Sequence, residues 1–321
     1  MLSTEGSATE AAAKLDTEYS ILTQNLGFGA YTADYTFFMD GGKESRARSK
    51  ESVVNCIDSA VKTIMEREPD YILFQEMDID STRSFHVNQY EQIANELPGF
   101  CHTFAVNYHS AYLMYPILCP HGASNSGIAT FSKSALDGGL RRSLPISESF
   151  SKLIDLDRCY SISRGPVEDG KELVLFNVHL SAYAADSNLK ESQLEMLFQD
   201  MEAEYKKGNY VICGGDFNAD LTGTSLKILN GEDAEEFGWT MPFPEQLIPE
   251  HFSRCMDYSS GKIEPTCRNN DVPYQEGNFT ILVDGFIVSD NVEVTYLENI
   301  QTGFAYSDHG PVHMKFMLRS N

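Results

Sequence analysis

The segment Gly214-Gly215-Asp216-Phe217-Asn218 follows the strand-like run Tyr210 to Cys213, and the chain later carries Ser307-Asp308-His309-Gly310. An apolar run ending in two glycines and a carboxylate places Asp216 at a strand end, where backbone approaches a ligand closely and a loop presents the acid. One such motif constrains little. Here it stands in an ordered series: Gln24-Asn25, Gln75-Glu76, Asn177-Val178-His179, Asp216-Phe217-Asn218, Asp284, Asp308-His309. Most of these residues end or interrupt an apolar stretch, so together they read as one active site assembled from strand ends.

Tyr19 to Asn25 reads as a first strand. Val53, Val54, Ile57, Val61 and Ile64 recur at the intervals of one helix face, so the spacing predicts a helix over Lys43 to Arg67 that Pro69 ends. Asp70 to Gln75 is a short buried strand, and Gln89 to Leu97 a second helix. Phe100 to Val106 and Gly127 to Phe131 read as strands around a long loop, Asn107 to Ser126, carrying Tyr108, Tyr112, Tyr115 and His121; its aromatics argue against disorder. Leu153 to Ser163 and Leu173 to Leu180 form a further strand pair, and Asn188 to Tyr205 a helix. Gly231 to Asn278 carries no clear pattern. Ile281 to Val288, Val292 to Leu297 and Pro311 to Leu318 are expected to finish a second sheet. Strands alternating with helices early and strand pairs throughout suggest two mixed sheets face to face with helices outside.

The ordered motifs resemble the endonuclease/exonuclease/phosphatase superfamily from about Tyr19 to Met317. The matching positions are Asn25 in the first-strand TxN, Glu76 in QE, His179 in NxHL, Asp216 and Asn218 in GDFN, and Asp308 with His309 in the terminal SDH. Asp284 matches the acid of the penultimate strand that orients the terminal histidine. The resemblance implies an α/β fold, a four-layer α/β/β/α sandwich of two mixed sheets, with the site at one end of the sheets.

Each residue has a plainer reading beside the chemical one. Glu76 is a metal ligand or a solvated strand end. With the other landmarks, Glu76, Asp308 and Asn25 form the expected metal set, for Mg²⁺ or Mn²⁺, hard cations that take oxygen ligands and keep several waters. His179 is a core histidine or a phosphate contact. Asp284 interrupts an apolar run, where a charge must be paired, and a carboxylate orienting one nitrogen of His309 is a recurrent catalytic arrangement. Asp216 and Asn218 stand two apart and point the same way on extended backbone; one would align or deprotonate water and the other donate to a phosphoryl oxygen. Arg158 is carried over as a substrate contact, with a surface ion pair to Asp155 or Asp157 as its alternative. Lys43, Arg46 and Arg48 form a basic cluster at a helix start or against a polyanion, and Arg83 is a similar candidate.

The expected activity is metal-dependent hydrolysis of a small or lipid-linked phosphoester by in-line attack of water. A Mg²⁺-dependent nuclease is the rival reading, and an inactive binding module that kept the fold ranks last because no landmark is broken. The net charge of −23 argues against strong non-specific nucleic-acid binding, which needs a cationic surface. A bound cation could still invert the sign inside one cleft. Seven unpatterned cysteines fit reduced buried thiols. Residues 1–18 are expected to be a flexible tail ahead of one catalytic domain over 19–321. They lack the pattern of a signal peptide, and no stretch is long and apolar enough to span a bilayer, which makes a cytoplasmic protein the default expectation; a chain trimmed of an N-terminal anchor would look the same.

Overall fold

A computed structural model of the chain describes residues 1–146, 157–182, 187–234 and 240–320. Its elements begin β1 (Glu5–Gly6), β2 (Tyr19–Asn25), α1 (Lys50–Met65), β3 (Tyr71–Asp78), α2 (Gln89–Glu96), β4 (Cys101–Leu113), β5 (Gly122–Ser132), β6 (Gly139–Ser143), β7 (Cys159–Pro166) and β8 (Glu172–His179). They continue α3 (Ser187–Tyr205), β9 (Tyr210–Asp216), α4 (Ser225–Asn230), β10 (Phe252–Arg254), β11 (Cys267–Arg268), β12 (Thr280–Ile281), β13 (Asp284–Ser289), β14 (Val292–Asn299) and β15 (Val312–Leu318). Among the described residues one sheet is ordered β1-β4-β5-β3-β2-β15-β14 and the other β10-β13-β9-β8-β7-β6, with β11 and β12 paired separately.

Alternation of side chains along the central strands sorts them into three cores. Ile21, Leu73, Leu175 and Ile212 meet between the sheets. Their neighbours Leu22, Ile72 and Phe74 point outward beneath Ile57, Ile64 and Ile93 of α1 and α2. Val174, Phe176 and Val211 do the same beneath Leu194, Leu197 and Met201 of α3. Strands apolar on both faces need cover on both sides, and the result is the expected α/β/β/α sandwich. Each fully buried Leu or Ile contributes roughly 1.5–3 kcal/mol to holding the layers together.

Several local expectations give way to longer-range contacts. α1 starts at Lys50, capped by the Ser49 hydroxyl accepting from Ser52 N–H at 3.0 Å, and not at Lys43. The residues before it are committed elsewhere: Ser45 Oγ donates to the Cys119 carbonyl, Arg46 to that of Pro120, and Arg48 pairs with Asp34. Most of the stretch read as a loop from Asn107 to Ser126 is strand, the outer arms of the β4–β5 hairpin. β14 and β15 belong to the first sheet, not the second, because β15 pairs antiparallel with β2 along Tyr19 to Thr23. The strand read from Leu153 is seen from Cys159, its first part lying outside the described residues. The N-terminal segment is laid along sheet edges: Glu5 pairs with His102, Glu10 N–H donates to the Lys133 carbonyl, and Ala13 is buried with its N–H on the Pro166 carbonyl. No helix among the described residues is long and apolar enough to cross a membrane.

Candidate active site

β2 and β3 run parallel in one sheet, and β8 and β9 run parallel in the other. Their C-terminal ends meet. Asn25 is the register partner of Gln75, His179 is the partner of Asp216, and Asp284 at the start of β13 faces Asp216 from the other side. The sheets are tied just below this point: Gln75 Nε2 donates to Asn177 Oδ1 at 2.7 Å, and Asn177 Nδ2 donates to the carbonyls of Phe74 and Ala129 at 3.1 and 2.9 Å. Asn177 therefore sets the distance between the sheets and does not face a ligand beside His179.

Backbone geometry aims the acids. Glu76 has φ +51° where the β3–β5 register shifts between Phe74 and Met77, which turns its carboxylate out of the strand. Gly215 has φ +144°, and a Cβ there would lie 2.1 Å from the Val178 carbonyl oxygen, so only glycine lets β9 lie against β8 beside Asp216. At Gly27 an added Cβ would lie 2.7 Å from Asp308 Oδ1, so the first-strand loop closes directly over that carboxylate.

The side chains form one connected network. His309 Nδ1 donates to Asp284 Oδ2 at 2.8 Å, and its Nε2 lies 3.9 Å from Asp216 Oδ2 and 3.5 Å from Cys267 Sγ. His179 Nε2 lies 3.5 Å from the same Asp216 oxygen and 3.7 Å from Glu76 Oε1. Asn25 Nδ2 donates to Asp216 at 3.1 Å and to Glu76 at 3.3 Å, while its own Oδ1 accepts from Gly27 N–H at 2.9 Å. Asn25 thus presents nitrogen to the carboxylates and bridges them, while its oxygen, with one lone pair taken by Gly27 N–H, keeps a second acceptor position. Asn218 departs from expectation. Its N–H and Nδ2 donate to Asp216 at 2.9 and 3.3 Å, and Nδ2 also reaches the Leu180 carbonyl at 2.9 Å, so it fixes Asp216 instead of offering a donor to substrate. Asp308 Oδ2 accepts from Asn270 Nδ2 at 2.8 Å.

Burial pushes the Asp216 carboxyl up to about 6, with Asp284 adding to the shift and His309 opposing it. Burial also raises Glu76, with Arg83 opposing and Asp308 adding. His179 is held well below its ordinary value by burial first, then by Arg158 and His309, so it is a neutral imidazole. Burial works the same way on His309, but Asp284, helped by Cys267 and Asp216, wins and holds it well above its ordinary value. The arrangement therefore sets a charged imidazole and a neutral one on either side of a carboxylate.

These groups floor a cleft. Its apolar wall includes Phe28, Tyr31, Phe37, Met39 and Tyr108, and Arg158 lines it too. Arg83 also lines the cleft, bonded to Asp78 through Nε and Nη2 at 3.0 and 2.9 Å and lying 4.1 Å from the Phe28 ring centre. Arg268 and Asn270 were missed from sequence. Arg268 donates to the carbonyls of Thr32 and Tyr35 at 3.1 Å each and so braces the loop over Asp308. In sequence both residues lie in the unpatterned stretch from Gly231 to Asn278, where no local signal marks them. Lys43, Arg46, Arg48, Arg141 and Arg142 are not among the cleft-lining residues; Arg142 pairs with Asp200, and Arg141 bonds the Val106 and Asp157 carbonyls.

Among the described residues, Asp216, Asp284 and His309 bring three ligand-type atoms within 4.8 Å. The 2.8 Å bond between His309 and Asp284 already accounts for two of them, whereas Glu76 and Asp308 offer oxygen alone, the donor type that hard cations take.

A family profile described as the endonuclease/exonuclease/phosphatase family matches residues 22–309. Among curated proteins none matches. Solved structures similar to the chain include ANGEL2, described as a 2′,3′-cyclic phosphatase in complex with adenosine-2′,3′-vanadate, at 16% identity and TM-score 0.62, covering 99% of each chain. The human Nocturnin catalytic domain with bound sulfate is 16% identical with TM-score 0.58, covering 99% of this chain and 97% of that one. Truncated TDP2 of Caenorhabditis elegans is 15% identical with TM-score 0.53, covering 94% and 97%. At these identities the likeness establishes the fold.

Proposed function

The chain belongs to the endonuclease/exonuclease/phosphatase family, and from that premise we propose that it is a divalent-metal-dependent hydrolase of a small or lipid-linked phosphoester. The observation that carries the reading is the buried Asp284–His309 pair, 2.8 Å apart, with the free imidazole nitrogen turned to Asp216 on the floor of a cleft that also holds Glu76 and His179.

Glu76 and Asp308 would hold Mg²⁺ or Mn²⁺; the pair is oxygen-only, and the burial that raises the Glu76 carboxyl, with Asp308 adding to it, is a cost that a cation offsets. When bound, such an ion supplies charge neutralisation at a phosphoryl oxygen. The chain's own residues do the rest. Asp216, fixed by Asn25 and Asn218, orients a water in line with the scissile P–O bond and accepts its proton as the P–O bond opposite breaks and the leaving oxygen takes a proton from solvent. His309, charged and steered by Asp284, stabilises the charge that develops on phosphorus-bound oxygens, and the neutral His179 donates a hydrogen bond to the same group. Arg158 adds positive charge at the cleft wall.

A small or lipid-linked substrate is favoured because the surface arginines that could have tracked a nucleic-acid backbone are spent on Asp34, Asp200 and backbone carbonyls. The nuclease reading keeps one observation in its support, the aromatic cleft wall with Arg83 over Phe28, on which a base could stack. Comparing kcat/KM for a nitrophenyl phosphodiester, inositol phosphates and sphingomyelin with plasmid nicking, at one Mg²⁺ and salt concentration, tests the choice. The expected result is faster turnover of a small or lipid ester. Efficient nicking with inert small esters promotes the nuclease.

A further inference from the structure

From Leu97 to Ser132 the chain contains no Asp, Glu, Lys or Arg, although its net charge is −23. This charge-free stretch is the β4–β5 hairpin, and its turn carries a cluster of exposed apolar side chains: Tyr112 at 54%, Met114 at 75%, Tyr115 at 60%, Ile117 at 84% and Leu118 at 100% exposure. The other exposed large apolar residues, such as Ile228 and Val272, are scattered along the chain. Single exposed leucines are ordinary; a contiguous group at one tip marks an interaction site.

The tip is held in place from below. His121 Nδ1 donates to the Ser45 carbonyl at 2.6 Å, Ser45 Oγ donates to the Cys119 carbonyl at 2.5 Å, and Arg46 reaches the Pro120 carbonyl. The apolar side chains therefore stand outward on a fixed support. They are also continuous with the cleft: Tyr115 packs on Phe38 at 5.7 Å between ring centres, Phe38 on Phe37 at 4.9 Å, and Phe37, Tyr108 and His121 line the cleft itself.

We propose that this hairpin tip inserts into the interfacial region of a zwitterionic lipid bilayer and seats the mouth of the cleft against it. A side chain that is wholly exposed stands on a protruding, convex tip, which penetrates a soft interface but has no matching concavity in a second copy of itself. A stable dimer also needs about 1,200 Å² or more of buried surface, and two copies at −23 repel each other. Tyrosines flanking aliphatic residues, with no charge to desolvate, suit the headgroup boundary. The acidity of the whole chain turns it from anionic lipid towards neutral headgroups. Docking stands on the hairpin alone; that it delivers a lipid-linked phosphoester to the cleft rests on the proposed function.

The test is flotation of the full chain with vesicles of pure phosphatidylcholine and of phosphatidylcholine with 30% (about one third) phosphatidylserine, for the unaltered protein and for Ile117→Glu/Leu118→Glu. The unaltered protein is expected to float with phosphatidylcholine and less with the anionic mixture, and the double variant to lose about tenfold or more of its binding, as removal of large apolar side chains from an interface requires. Hydrolysis of a water-soluble nitrophenyl phosphodiester is expected to be equal in the two proteins, which separates docking from catalysis. Failure to float, flotation indifferent to the double substitution, or a concentration-dependent dimer that the substitution splits, each overturns the proposal. Flotation without any hydrolysis leaves docking standing and overturns the phosphoesterase instead.

Discussion

Asp284→Asn separates what the buried pair does for catalysis from what it does for the fold. Asp284 is 0% exposed, its Oδ2 accepts a hydrogen bond from His309 Nδ1 at 2.8 Å, and its Oδ1 has no hydrogen-bond partner among the described residues. The substitution removes a buried charge-assisted bond worth about 1.5–3 kcal/mol and the field that keeps His309 charged. At 1.36 kcal/mol per decade the bond alone accounts for roughly tenfold to a hundredfold in kcat, and loss of the charged imidazole extends that to about 10² to 10⁴. Stability moves differently. A buried pair that loses one partner is destabilised, but the amide keeps an acceptor for the His309 N–H and the imidazole can shed its proton, so the melting temperature is expected to fall by a few degrees and the protein to stay folded at the assay temperature. His309→Ala is expected to lose about as much kcat, and the double variant little more than either single one, because both disable one unit. The assay is steady-state hydrolysis of a nitrophenyl phosphodiester for the four proteins, with thermal melts alongside. Strict additivity in the double variant, or a drop in melting temperature that explains the lost rate, refutes the reasoning.

Two further outcomes follow from the structure. Gly215→Ala forces a Cβ to within 2.1 Å of the Val178 carbonyl at φ +144°, so it is expected to cost about 3 kcal/mol in a denaturant melt, and an unchanged midpoint would show that β9 has room to move. Burial first, then Arg83, holds His121 down at about 4, so the fold prefers it neutral, and its contribution is complete above the unfolded value near 6.5 and is lost as pH falls towards 4. His121→Asn is expected to flatten the fall in unfolding free energy between pH 6.5 and 4 by up to about 3 kcal/mol; parallel pH curves for the two proteins would contradict it.

The polar ends of buried strands were legible because an acid or amide after an apolar run conflicts with burial, and the conflict resolves only where several strands end together. Glu76, His179, Asp216, Asp284 and Asp308-His309 do converge. What each amide does was not legible: Asn25, Asn218 and Asn177 look alike in sequence, and only the register shows that they hold carboxylates or tie sheets. Sheet membership of β14 and β15 depends on pairing with β2, far away in the chain, which no local pattern encodes. The arms of the β4–β5 hairpin read as loop because Asn107, His109 and Ser110 and, opposite them, Ser124, Asn125 and Ser126 carry no apolar alternation; their pairing across the hairpin is what makes them strand. Asn270 and Arg268 escaped notice because their partners, Asp308 and the carbonyls of Thr32 and Tyr35, lie on other elements.

The central claim is metal-dependent phosphoester hydrolysis at this cleft, and hydrolysis of a nitrophenyl phosphodiester in Mg²⁺ or Mn²⁺ against excess EDTA, for the unaltered protein and for Glu76→Gln, tests it most directly. The account predicts turnover with either ion, loss of turnover in EDTA, recovery when Mg²⁺ is restored, and a weakened metal dependence in Glu76→Gln with its melting behaviour preserved. Undiminished hydrolysis in EDTA, or a Glu76→Gln protein whose metal dependence matches the original, contradicts it.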